Sequence, residues 1–420
     1  MKLARTVLLG LTTALAACST MPAQNSAPAA SQATVYDAAT VGDSSLSAFY
    51  EYAQSLSHGP GKLLRREPLE AKQSLANAGT NLRLLYTATD GLANDGILPV
   101  SGVLYLPKGE APEGGWPLMA WTHGTVGVAD ICAPSWNGRQ EQDQEYLNRF
   151  LAEGYAIVAS DYQGLGTKGT HPYLATRPAA YSNLDIIRAV TAGDFPISEK
   201  VALFGQSQGA GAAIATADYA AIYAPEIDIV GVVATGAPYL TPQVVQFLER
   251  LQQPDRVDPL LGYTFLAMTL VQQVDPSFVM RDYITDEAWP IANRVSDACY
   301  AEIKTLVSDA QLTRRKSFAQ SPSLPLRQGF ARMGYPTLGL KAPLFLGTGG
   351  LDRDTPPQMQ ATLARDLCAK GTKVTSVLYP ELNHREVVPY SPIDSIPFVK
   401  AAFAGEDLPG NCDDLPYRAQ

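Results

Sequence analysis

Four histidines, five cysteines and a charged fraction of only 17% leave this 420-residue chain with few groups able to do chemistry. No C-x-x-C pair offers zinc ligands and no H-E-x-x-H helix is present, so nothing requires a metal, and no cofactor is expected. The basic residues form no cluster. With a formal net charge of −9, nucleic acid and anionic membrane surfaces are poor candidates for the main partner. No apolar run is long enough for an ordinary membrane span. The 46% hydrophobic content is that of a globular protein with a sizeable core, and the length suits one large domain with an insertion, or two domains. No internal repeat is visible.

At the N-terminus, Lys2 and Arg5 precede an apolar stretch from Val7 to Ala17 that ends in Leu15-Ala16-Ala17-Cys18, which resembles the lipobox of a bacterial lipoprotein signal. This implies a signal peptide over 1–17 and a lipid anchor on Cys18, where two or more acyl chains would hold stably to a membrane. Ser19 after the cysteine favours the outer membrane if the source is Gram-negative. The alternative is a plain secretory signal in which Cys18 is incidental. Residues 18–45 carry almost no large apolar side chains and read as a flexible tether. The other cysteines, Cys132, Cys299, Cys368 and Cys412, are even in number, as expected of an exported protein, and allow three disulfide pairings.

Apolar strand-like runs recur at Leu82–Thr87, Ile97–Leu106, Leu118–Thr122, Tyr155–Ser160, Val201–Phe204, Ile227–Thr235, Ala342–Leu346 and Val374–Tyr379. Helical patterns at Gln142–Ala152, Asn183–Ala192, Ser207–Ala221 and Met359–Ala369 separate most of the later ones. The alternation predicts an α/β fold with a mainly parallel sheet, preceded by an antiparallel pair. Between Gly236 and about Leu340 it stops, and the segment is helix-patterned. The expected organisation is therefore a first core part over 46–236, a helical cap over 237–340 and a second core part over 341–420, with a plain second core as the alternative to a cap.

Gly205-Gln206-Ser207-Gln208-Gly209 follows the run Val201-Ala202-Leu203-Phe204 and opens into a helix of small residues, the context of a nucleophile elbow. A serine hydroxyl is a weak nucleophile at neutral pH and needs a base, itself oriented by an acid. In the order nucleophile, acid, histidine of an α/β-hydrolase, His384, just past the last predicted strand, is the expected base. Asp352 is the expected acid, because Pro356 follows it at the four-residue spacing of the recurring acid loop. Asp354 is the reserve. Two backbone N–H groups must meet the oxyanion, and those of Gln208 and of Gly124 in Trp121-Thr122-His123-Gly124-Thr125 are the candidates. His123 fits loop shaping better than a second base, and His58 and His171 read as structural or surface residues. Gly164-Leu165-Gly166-Thr167-Lys168-Gly169 matches a dinucleotide fingerprint, but Thr170-His171-Pro172 stands where the helix should open, which argues against a nucleotide site.

His123-Gly124-Thr125 with Gly127-Val128-Ala129-Asp130 and Cys132-Ala133-Pro134-Ser135 resembles a stretch of the secretory lipase family of α/β-hydrolases. Asp161-Tyr162-Gln163-Gly164-Leu165-Gly166 with Thr170-His171-Pro172-Tyr173-Leu174 is similar to the family's next signature, and Gly59-Pro60-Gly61-Lys62-Leu63-Leu64-Arg65 to its N-terminal region. The resemblance runs over approximately residues 45 to 415 and is weakest in the cap. It implies lipase or carboxylesterase activity on a small-molecule or lipid ester, a cap over an acyl-binding pocket and two disulfides, and it favours pairing Cys132 with Cys299 and Cys368 with Cys412. Gln206 departs from the His or Tyr that many hydrolases carry there. The competing readings are a cell-envelope peptidase of the same fold and a non-catalytic surface-binding lipoprotein. The oligomeric state is open, with a monomer as the default.

Overall fold

The computed structural model describes residues 42–56, 58–93 and 96–417. The expected signal peptide, Cys18 and nearly all of the expected tether lie outside these residues. Residues 42–45, also assigned to the tether, pack instead against the core. Ser44 N donates to Asp130 Oδ2 at 3.0 Å, and Asp130 N to Gly42 O at 2.8 Å. The carboxylate of Asp130 is buried and requires donors, which this segment supplies.

Nine strands, β1 (Leu63–Pro68), β2 (Ala78–Thr89), β3 (Ile97–Pro107), β4 (Trp116–Thr122), β5 (Ala156–Ser160), β6 (Ile197–Gln206), β7 (Asp228–Thr235), β8 (Leu344–Gly349) and β9 (Val374–Tyr379), form one sheet. Their order is β1-β2-β3-β5-β4-β6-β7-β8-β9. Pairing is parallel from β5 onward and antiparallel among β1, β2, β3 and β5. The antiparallel part therefore holds three strands where the pattern indicates two. β1 reads LLRREP, charged and ending in proline, a composition suited to an edge strand with only one partner.

Helices cover both faces, which is why the parallel strands are apolar almost throughout. Leu118, Ala120, Leu203 and Val232 pack against the helices Thr176–Thr191, Gln208–Tyr223 and Pro357–Ala369. Met119, Trp121, Phe204 and Val233 alternate with them and pack against Glu141–Ala152 and Pro392–Ala404. Truncating a fully buried side chain of this kind, such as Phe204, costs about 3–5 kcal/mol.

Register brings the strand ends together. Thr122 pairs with Gly205, Gln206 with Thr235, Thr235 with Gly347, and Gly349 with Tyr379. The loops after β4, β6, β7, β8 and β9 thus emerge along one edge, the crevice where open α/β sheets bind ligands.

Between β7 and β8 the chain leaves the sheet for a helical segment that includes Pro242–Leu251, Leu261–Val274, Tyr300–Asp309 and Ser323–Arg332. Two isolated bridges, Val257 with Thr313 and Ile284 with Phe318, interrupt the helical pattern expected there. Phe265, Leu266, Met268, Val271, Ile303 and Val307 form a second apolar cluster that also takes in Val128, Tyr173 and Ala175 from the loops of the sheet. A disulfide joins Cys132, after β4, to Cys299 in this segment, 167 residues apart. A second joins Cys368 to Cys412, 44 residues apart.

Candidate active site

Ser207 follows β6 directly and has φ 56° and ψ −124°, a strained backbone for a residue with a side chain. Two glycines make the turn possible. A Cβ at Gly205 would stand 2.1 Å from Gly209 O, and one at Gly209 would stand 1.9 Å from Thr122 O. The Thr122 hydroxyl lies 2.7 Å from Phe204 O and 2.6 Å from Gly209 O, fixing strand and helix to each other. Ser207 N donates to Thr235 O at 2.9 Å. Gln208 opens the helix, where the first N–H groups have no partner within the helix and the dipole favours negative charge.

His384 and Asp352 meet across 32 residues, with Nδ1 2.8 Å from Oδ2. Both side chains are buried. Asp352 Oδ1 accepts from Asp354 N at 2.9 Å and Thr355 N at 2.8 Å, and Oδ2 also accepts from Thr355 Oγ1 at 2.9 Å and Gln360 Nε2 at 3.2 Å. The carboxylate is held on every side, which leaves the imidazole one orientation. Gln360 is itself fixed through Thr348, whose hydroxyl lies 2.7 Å from Tyr417 OH near the C-terminus. Gly236, just past β7, is required by the ring, since a Cβ there would lie 2.8 Å from His384 Cε1. Nothing in the spacing of the sequence pointed to Gly236, Thr355 or Gln360; their roles follow from packing alone.

Because Nδ1–H faces a carboxylate, Nε2 of His384 carries the lone pair. Gln206 Nε2 donates to it at 3.0 Å and also reaches His384 O at 3.4 Å. Both contacts require the amide nitrogen, so Gln206 Oε1 turns toward Gly124, whose added Cβ would meet it at 2.6 Å. Gly124 also borders the serine, its added Cβ falling 3.7 Å from Ser207 Cβ. Asp354 is not bonded to Nδ1. Its Oδ2 lies 4.0 Å from Nε2, on the other side of the ring.

The Gly124 loop is set by the segment after β5. His123 stacks on Tyr162 at 4.2 Å, and Tyr162 OH donates to His123 O at 2.9 Å. Burial lowers the His123 pKa to about 3. Asp161 lies buried beneath, accepting from Ser135 N, Ser135 Oγ and Ser101 Oγ, and burial raises its pKa. His171 is buried against the site. Its Nδ1 lies 3.0 Å from Gln163 O and so bears the proton, which makes Nε2 the acceptor for Gln208 Nε2 at 3.0 Å. Burial lowers its pKa to about 4. His58 is exposed. The Gly164–Gly169 loop folds on the core: Gly166 N donates to Asp130 Oδ1 at 2.9 Å, and the next helix opens only at Thr176. Among the described residues, no group of three His, Cys, Asp or Glu side chains is arranged to hold a metal ion.

A strained serine, a histidine–carboxylate pair and free amides at a helix N-terminus are the parts of acyl transfer. The family model for secretory lipases matches residues 138–408. Lipase A of Moesziomyces aphidis is 24% identical over 373 residues, covering 82% of this chain and 77% of that protein. A secreted triacylglycerol lipase of Malassezia furfur, LIP5, is 33% identical over 132 residues, 28% of this chain and 34% of its own length. Among solved structures, Candida antarctica lipase A superposes with a TM-score of 0.69 at 22% identity, covering 86% of both chains. The rice cell wall degrading esterase LipA of Xanthomonas oryzae gives 0.65 at 21% identity, over 82% of this chain and 98% of that one.

Proposed function

The chain belongs to the secretory lipase family and is a carboxylic ester hydrolase of the α/β-hydrolase fold, and we propose that Ser207, His384 and Asp352 are its catalytic triad. The observation that carries this reading is the 2.8 Å contact between His384 and Asp352 beside the strained turn at Ser207. Ser207 Oγ attacks the ester carbonyl while His384 Nε2 takes its proton, and Asp352 stabilises the resulting imidazolium. The N–H groups of Gln208 and Gly124 receive the developing oxyanion. His384 then protonates the leaving alcohol, and a water activated by the same nitrogen releases the acid from the acyl-enzyme. Gln206 Nε2, 3.0 Å from His384 Nε2, must turn aside for each proton transfer.

The helical segment, taken as 237–340, serves as a cap over this centre. A cavity of about 20 Å³ beside Gln208 is walled mostly by apolar side chains, among them Leu174, Ala179, Leu240 and Met333, and holds an apolar acyl chain only once the cap moves to widen it. The triacylglycerol lipase among the relatives supports a lipid ester as substrate. Membership of the secretory family and the secreted relative support export. Anchoring through Cys18 rests on the lipobox resemblance alone, and mass spectrometry of the N-terminal peptide tests it. Hydrolysis of p-nitrophenyl esters of increasing chain length, beside aminoacyl-naphthylamides, tests the activity. Turnover of the esters with inert amides is expected. Preferential cleavage of the amides would overturn the reading in favour of a peptidase.

A further inference from the structure

Asp354 stands two residues past the acid that holds His384, yet its carboxylate faces the opposite nitrogen of the ring, with Oδ2 4.0 Å from Nε2. Its contribution to Asp352 is made by its backbone N–H, so the carboxylate is not needed there. Among the described residues, the one hydrogen bond to its side chain comes from Tyr263 OH at 3.3 Å, on the helix Leu261–Val274. Tyr263 stacks on Tyr300 at 4.3 Å, with the Tyr300 hydroxyl buried beside the Tyr263 hydroxyl. The side chain of Asp354 retains 18% exposure. An ionised carboxylate accepts hydrogen bonds and cannot donate them, and keeping it mostly out of water with a single donor is unfavourable.

We propose that Asp354 recognises the alcohol half of the substrate, binding a hydroxyl or a cationic ammonium group on the second carbon from the ester oxygen. The inference rests on the assignment of Ser207 and His384 to catalysis. The leaving oxygen must come within about 3 Å of His384 Nε2 to receive its proton, and Asp354 Oδ2 is 4.0 Å from that nitrogen. A substituent on the second carbon, gauche to the ester oxygen, lies roughly 3 Å from it, within reach of Oδ2. A simple alkyl alcohol offers the carboxylate nothing and strips it of water. Esters of polyols with a free neighbouring hydroxyl, or of amino alcohols, satisfy it. Tyr263 then couples the cap to this selection, since it holds the same oxygen from above.

The test is kcat/KM for butyrate esters of 1-propanol, ethylene glycol and choline, measured on the wild-type protein, Asp354→Leu and the near-isosteric Asp354→Asn. The 2-hydroxyethyl ester is expected to exceed the propyl ester about tenfold, the worth of one hydrogen bond to a charged group. In Asp354→Leu that ratio should fall toward one. Asp354→Asn, which keeps one carbonyl oxygen, should retain part of the hydroxyl preference and lose any preference for the choline ester. A gain confined to the hydroxyethyl ester supports hydrogen bonding, and a gain shared by choline supports charge recognition. Active enzyme with equal rates for all three esters, or a ratio unchanged in Asp354→Leu, overturns this inference alone. If none of the esters is turned over and Ser207 takes no fluorophosphonate, the catalytic assignment falls and this inference with it.

Discussion

The sheet and the helical segment above it are built and held by different means. The sheet's strands and helices share continuous apolar faces, and its catalytic loops are fixed by dense hydrogen bonding, as the five donors around Asp352 illustrate. The helical segment has an apolar cluster of its own and also contributes Tyr239, Val244, Leu338 and Leu340 to the core on the sheet. Its contacts with the sheet and its loops include the packing on Val128, Tyr173 and Ala175, the Cys132–Cys299 disulfide, Tyr263 on Asp354, Tyr300 N on Val126 O at 2.7 Å, Thr176 Oγ1 on Gly334 O at 2.6 Å, and the return at Asp218, which accepts from Thr337 N and Leu338 N at 2.8 Å. The floor of the site is thus held by dense hydrogen bonding around single side chains, while the helical segment, its roof, is joined to it by packing, one disulfide and dispersed hydrogen bonds. Changes in the floor should strike catalysis, and changes in the attachments should strike stability and selectivity.

The largest effect belongs to the floor. His384→Ala and Asp352→Asn should each lower kcat by about 10³–10⁴-fold with the fold intact. Asp354→Asn should cost much less on a simple alkyl ester. The opposite ranking of the two aspartates, read by ester hydrolysis beside circular dichroism, would move the acid to Asp354.

The disulfides separate roof from floor most directly. By the chain-entropy model, replacing Cys132 and Cys299 with serine should cost up to roughly 5 kcal/mol of stability, and replacing Cys368 and Cys412 roughly 4 kcal/mol. Only the first pair joins the two regions, so only its loss should also change kcat/KM under conditions where both variants remain folded. Equal kinetic effects of the two pairs would break the distinction.

Most of the floor was legible in the sequence, and most of the roof was not. Gly205, Ser207 and Gly209 declare a turn that only glycine neighbours permit, and β4 to β9 are apolar runs because helices cover both faces. β1 escaped because LLRREP has no alternation, and Gly236, Thr355 and Gln360 because their roles exist only once β7 and β8 lie side by side. Asp354 could be named from the acid loop, but its position opposite Asp352 depends on the turn of that loop and on Tyr263, more than ninety residues away along the chain.

A smaller effect concerns acid. His171 and His123 are buried and neutral, their pKa values lowered by burial to about 4 and about 3. In the unfolded chain a histidine takes up its proton near pH 6.5. Their contribution is therefore present above pH 6.5 and is lost as the pH falls from there toward 4, by roughly 3 kcal/mol for His171. His171→Gln, whose amide can serve both Gln163 O and Gln208, should flatten the fall in melting temperature over that window. An unchanged slope would show that His171 is protonated in the native protein.

The smallest expected change is at Gln206, which holds the lone pair of the base in the resting protein. Gln206→Met should speed fluorophosphonate labelling of Ser207 about two- to tenfold, the worth of one neutral hydrogen bond. Slower labelling would mean that Gln206 aligns His384 rather than restrains it.

The central claim is that Ser207 carries the acyl group. Peptide mass spectrometry after fluorophosphonate labelling should find the adduct on Ser207 and find none in a folded Ser207→Ala protein that has lost ester hydrolysis. An adduct on another residue, or full ester turnover by Ser207→Ala, would contradict it.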